Sequence, residues 1–194
     1  RRARTCPRSC RRARQGRADA RIRADSVREP RGQPLPARRE PIRAGETAPL
    51  FVLPAVATDG SRFELDLAEW LGVGPVLLVF YEDDGMPICT RELRAFAQEE
   101  PLLAAAGIQV VGVNTNGLGS HERFQERDRF PFPLVSDFHG EAVKAFGMWD
   151  EREKKSRRGV VAIEGDERVT YVLSHFNPGA VNSFAGIFEA LGLA

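Results

Sequence analysis

The run Val76-Leu77-Leu78-Val79-Phe80-Tyr81 constrains this chain more than any other stretch. Apolar and aromatic residues without a polar break read as a strand buried on both faces, which requires packed layers above and below it. An acidic loop with a glycine, Glu82-Asp83-Asp84-Gly85, comes next. Beyond it the apolar residues take helical spacing, with Leu93, Phe96 and Ala97 on one face. Cys89 therefore stands where a central strand hands over to a helix. Unpaired backbone N–H groups and the positive end of the helix dipole meet there, and both favour a thiolate. The thiolate is the nucleophilic form, so this placement favours a reactive cysteine over an inert one.

A second β-branched run, Ile108 to Val113, makes strand, helix, strand, and hence a right-handed unit with parallel strands. Pro101 is expected to break or restart the intervening helix, because its ring clashes with the carbonyl four residues back. Upstream, Gly45 to Leu53 reads as an extended lead-in and Asp59-Gly60 as a turn. Arg62 to Leu65 reads as a short strand, and Asp66 to Leu71 as a short helix closed by Gly72, with Trp70 as a core anchor. Downstream, a polar helix N-capped by Ser120 is expected to reach Asp128. Leu134-Val135 is a short extended piece, and Gly140 to Phe146 a brief helix ended by Gly147. The charged run Asp150 to Arg157 reads as a solvated loop. Gly159–Ile163 and Arg168–Leu173 form an antiparallel hairpin, and a last helix runs from about Gly179 to Leu191. The sum is an α/β chain with a thioredoxin-like fold, a mixed central sheet with helices on both faces.

Charge divides the chain. Residues 1–43 hold 15 arginines against four acidic residues, whereas the rest holds 13 basic and 23 acidic side chains. The first segment has almost no large apolar residues and reads as a disordered Arg-rich leader, with the folded domain at 44–194. A solvated tail is preferred to an electrostatic arm, since the leader lacks an aromatic residue for base stacking and no nucleic-acid partner is read. Cys6 and Cys10 could supply half a zinc site, but no second ligand pair is near, so no metal or other cofactor is expected. Only Cys89 lies in the folded part, which excludes an intradomain disulfide and points to a reducing compartment. The leader has no apolar core of a secretory signal, and no run is long enough to span a membrane, so a cytoplasmic location is expected. The three histidines, His121, His139 and His175, read as surface residues, and Glu82 to Asp84 as a solvated loop.

Four pieces, in order, resemble the peroxiredoxins of the alkyl hydroperoxide reductase and thiol-specific antioxidant family. Ala48-Pro49-Leu50-Phe51 is similar to the family's Ala-Pro-x-Phe, and Pro87-Ile88-Cys89-Thr90-Arg91-Glu92 to the Pro-Gly-Cys-Thr-x-Glu of its bacterioferritin-comigratory branch. Phe132 to Asp137 resembles Phe-Pro-Leu-Leu-Ser-Asp, and Arg158 to Glu164 resembles Arg-x-x-Phe-x-Ile-Asp. The resemblance implies a cysteine-dependent peroxidase. Cys89 would attack the peroxide O–O bond, Arg158 would steady the thiolate and polarise the peroxide, and Glu92 would orient Arg158. Arg157 is adjacent, but strand alternation would turn it to the opposite face.

Met86, Pro87 and Ile88 would border the substrate. Two positions depart from the family's Pro-x-x-x-Thr/Ser-x-x-Cys: Glu82 replaces its proline and Met86 its hydroxyl residue. A thioether cannot donate a hydrogen bond, so slower or altered peroxidase chemistry is expected. The branch's resolving cysteine falls at Arg94, so the resemblance implies a one-cysteine cycle. Its partners would be a hydroperoxide and an external thiol reductant, thioredoxin-like or of low molecular weight, and a homodimer is left open. Met86-Pro87-Ile88-Cys89 excludes a dithiol exchange pair. The competing reading is a catalytically silent thioredoxin-fold module in which Cys89 is a buried small hydrophobe.

Overall fold

The structure, a computed structural model, describes residues 35–179 and 184–193. In chain order the first elements are β1 (Val52–Val56), β2 (Arg62–Asp66), α1 (Leu67–Leu71), β3 (Val76–Phe80), α2 (Pro87–Ala105) and β4 (Gln109–Asn114). They continue with α3 (Leu118–Asp128), β5 (Leu134–Ser136), α4 (Glu141–Ala145), β6 (Trp149–Asp150) and β7 (Lys155–Ser156). The last are β8 (Gly159–Ile163), β9 (Val169–Leu173) and α5 (Ala185–Ala190). Among the described residues, seven strands form one mixed sheet in the order β2-β1-β5-β4-β3-β8-β9, with β3 parallel to β4 and antiparallel to β8.

Strand alternation divides β3 between two cores. Val76, Leu78 and Phe80 pack with Phe51, Val111 and Phe146 on one face. Leu77, Val79 and Tyr81 pack with Cys89, Leu93 and Phe96 on the other. Every residue of β3 is fully buried, as its unbroken apolar run requires. The thioredoxin-like fold read from the sequence is the fold observed.

Local differences have physical causes. α2 runs through Pro101 without a break, with fully buried Leu103 anchoring the turn beyond it, so tertiary packing outweighs the proline. α3 starts three residues earlier than read, with extended Gly117 at its N-cap and Ser120 in its first turn. Asp66 caps α1 by accepting from the Ala68 N–H, and Trp70 is only half-buried, stacked on Phe63 at 6.5 Å. The charged run at 150–157 is not a simple solvated loop: β6 and β7 pair across it, and Ser156 is fully buried.

The packed domain also reaches further upstream than residue 44. Ile42 is 1% exposed, and its N–H donates to the Phe146 carbonyl. The Arg38 N–H donates to the Lys144 carbonyl, and Leu35 packs on the same core. Gly147 allows this approach. Its φ is +70°, and a Cβ there would collide with the Glu40 carbonyl. The part of the Arg-rich leader before residue 35, with Cys6 and Cys10, lies outside the described residues. Among those described, no helix is long and apolar enough to cross a membrane.

Candidate active site

β3 ends against the loop Glu82–Met86, and α2 starts at Pro87, whose missing N–H costs nothing in a first turn. Cys89 is the third residue of α2, as the strand-to-helix reading places it. Its side chain is fully buried, with Sγ 4.0 Å from Met86 Sδ. Burial pushes the Cys89 thiol above its ordinary value. The backbone N–H groups of Asp83 and Glu82 oppose this, while the Glu92 and Glu82 carboxyls add to it. The expected lowering of the thiol is therefore not what this closed arrangement produces: desolvation outweighs the helix start.

Arg158 and Glu92 come close to each other but do not bond. Arg158 Nε instead donates to Glu82 Oε1 at 3.3 Å, and Lys155 Nζ stands 3.9 Å from the other Glu82 oxygen. Arg158 Nη1 and both carboxyl oxygens of Glu92 are buried without a hydrogen-bond partner. Burial raises the Glu92 carboxyl well above the usual carboxylate range, against the pull of Arg158 and with a further push from Glu82. The carboxylate that orients Arg158 here is Glu82 rather than Glu92. Arg157 is not turned to the far face, because both arginines precede β8 and escape its alternation. It pairs with Asp150 at 3.5 Å, and the two arginines line one cleft of about 350 Å³ with Glu82, Asp150, His175 and Phe176. Met86 and Ile88 are half-buried and Pro87 is exposed. Arg94, at the resolving-cysteine position, pairs with Asp128 at 2.6 Å.

Sequence reasoning missed a polar network on the other side of the Cys89 loop. Tyr81 Oη donates to Asp84 Oδ1 at 2.9 Å, and Asn114 Nδ2 reaches the same oxygen at 3.2 Å. The Asp84 N–H donates to Asn116 Oδ1 at 3.0 Å. His121 is fully buried, with Nδ1 2.8 Å from Asp84 Oδ2 and Nε2 3.2 Å from the Val135 carbonyl. Neither the surface reading of His121 nor the solvated reading of Asp84 survives. The available signal was spacing: His121, Phe124 and Gln125 form one inward stripe of α3.

The arrangement is a cysteine at the first turn of the helix after a central strand, with an arginine from the neighbouring strand's start. The chain belongs to the AhpC/TSA family, which it matches over residues 44–172, and stands with that family's Bcp-like peroxiredoxins. It is 29% identical over 132 residues to a protein named putative peroxiredoxin bcp from Coxiella burnetii, covering 68% of this chain and 82% of that one. It is 29% identical over 142 residues to peroxiredoxin Bcp of Escherichia coli, covering 70% of this chain and 88% of the relative. Among solved structures, peroxidoxin BcpB from Mycobacterium tuberculosis aligns with a TM-score of 0.67 at 28% identity, over 78% of this chain and 97% of that one.

Proposed function

We propose that this chain is a thiol-dependent peroxidase that reduces hydrogen peroxide or organic hydroperoxides through Cys89. The thiolate attacks one oxygen of the O–O bond. As the S–O bond forms and the O–O bond breaks, sulfur becomes a sulfenic acid, and the leaving oxygen takes a proton to depart as water or an alcohol. The observation that carries this reading is the family match over residues 44–172, with Cys89 in the first turn of α2. The unpartnered Arg158 Nη1 is a donor free for the peroxide and for the charge that develops on it. Glu92 acts as the electrostatic neighbour of that arginine, and Met86, Pro87 and Ile88 border the sulfur.

Arg94 stands where a resolving cysteine would be, and Cys89 is the free cysteine among the described residues. The sulfenic acid is therefore reduced by an external thiol, thioredoxin-like or of low molecular weight. A reducing compartment such as the cytoplasm suits that cycle. The buried, raised thiol favours one other reading, a silent module that does no redox chemistry.

The full chain, mixed with hydrogen peroxide or cumene hydroperoxide and dithiothreitol, should consume peroxide, and Cys89→Ser should stop it. Mass spectrometry after peroxide alone should find one added oxygen on the Cys89 peptide. Equal consumption by both proteins, with no added oxygen, would establish the silent module instead.

A further inference from the structure

We propose that Glu82 is a positioning residue for the peroxidase reaction: its carboxylate holds Arg158 by Nε at the cleft wall and so governs how much of that cation serves Cys89. The inference rests on the peroxidase reading above. Three observations carry it. One carboxylate spans two cations, with Arg158 Nε at 3.3 Å and Lys155 Nζ at 3.9 Å, and all three side chains are about a quarter exposed. The guanidinium is engaged on its Nε edge while Nη1 stays enclosed and idle, as do both oxygens of Glu92. Glu82 also belongs to the loop whose backbone N–H groups act on the Cys89 sulfur, so a single residue joins sulfur and arginine.

The charged and titratable groups around the sulfur are Tyr81 at the end of β3, Glu82 and Asp83 of the loop, and Glu92 of α2. Those around the Glu82 carboxylate are Arg158 and Lys155, with Asp150, Arg157 and His175 completing the cleft. Of these, Glu82 is the carboxylate in contact with Arg158. The Glu82 carboxylate, in contact with Arg158, competes with the thiolate for one cation, whereas Glu92 makes no hydrogen bond to it. Removing that charge leaves the guanidinium to the sulfur.

The test is a double-mutant cycle on the full chain, with Glu82→Gln, Arg158→Ala and both changes together. The readout is the pH dependence of alkylation of the Cys89 peptide by iodoacetamide, which needs no peroxide and so remains informative if the peroxidase reading fails. Glu82→Gln should move the titration down by about one pH unit, which is about tenfold more thiolate at neutral pH. Glu82→Asp, which keeps the charge, should stay near wild type. In the Arg158→Ala background the effect of Glu82→Gln should largely vanish. Peroxide consumption by Glu82→Gln should rise in the same proportion at pH 7 and converge with wild type at high pH. A titration that stays put or moves up, or an effect of equal size without Arg158, overturns the proposal.

Discussion

His121 Nδ1 lies 2.8 Å from Asp84 Oδ2 inside the protein, while Nε2 of the same ring faces the Val135 carbonyl at 3.2 Å. The ring thus bridges a carboxylate and a backbone carbonyl. The pair ties the loop before Cys89 to α3 and β5. Removing the ring leaves Asp84 Oδ2 and the Val135 carbonyl without this partner, so His121→Ala should cost about 1–3 kcal/mol in urea unfolding.

Asp84 also sets an acid limit. Burial would raise its carboxyl, but hydrogen bonds from His121, Ser120 and Tyr81 outweigh it and hold the value below its ordinary level. A group depressed on folding contributes stability that is present above its unfolded value and is lost as pH falls through the folded one. Wild-type stability should therefore decline below about pH 4. The hydrogen-bonded Asp84→Asn variant should start lower at neutral pH and decline less steeply, as measured by urea unfolding across pH.

Glu92 has the opposite sign. Its carboxyl is raised on folding, so the native state keeps a proton that the unfolded chain has released. Stability falls as pH rises above the unfolded carboxylate value. Glu92→Gln, which has no proton to take up on folding, should gain stability over wild type as pH rises above about 4, with the gap closing near that pH.

Met86 touches the Cys89 sulfur through a thioether, with the two sulfur atoms 4.0 Å apart. Met86→Thr would place a donor where none exists, and peroxide turnover should rise on the order of tenfold. Steady-state kcat/KM measures it, and unchanged turnover would mean that the pocket is shaped around the thioether.

The segment before residue 44 stabilises the fold. Ile42→Ala removes a buried side chain and should cost about 2–4 kcal/mol. Gly147→Ala, which pushes a methyl into the Glu40 carbonyl, should lower the thermal midpoint through the same contact. Equal midpoints for wild type and Ile42→Ala would show that the segment contributes nothing.

Where hydrophobic pattern fixes structure, the sequence was readable. β3, β4 and the β8–β9 hairpin follow from β-branched runs, and α2 from its apolar spacing after Pro87. The place of Cys89 at the start of α2 was readable because a position between a strand and a helix is itself a pattern. The unread parts depend on long-range partners. Ile42 is one apolar residue among arginines, and only Phe146, far along the chain, gives it a place. Nothing near His121 announces Asp84, 37 residues earlier. Glu82 and Arg158 are 76 residues apart, and charge alone did not tell which acid, Glu82 or Glu92, would take the arginine.

The complete enclosure of Cys89 has a kinetic consequence. Oxidant meets sulfur only after the packing around it opens, so oxidation becomes first-order in protein once peroxide outruns reclosure. The velocity then levels off at the opening rate, a ceiling that more oxidant does not raise.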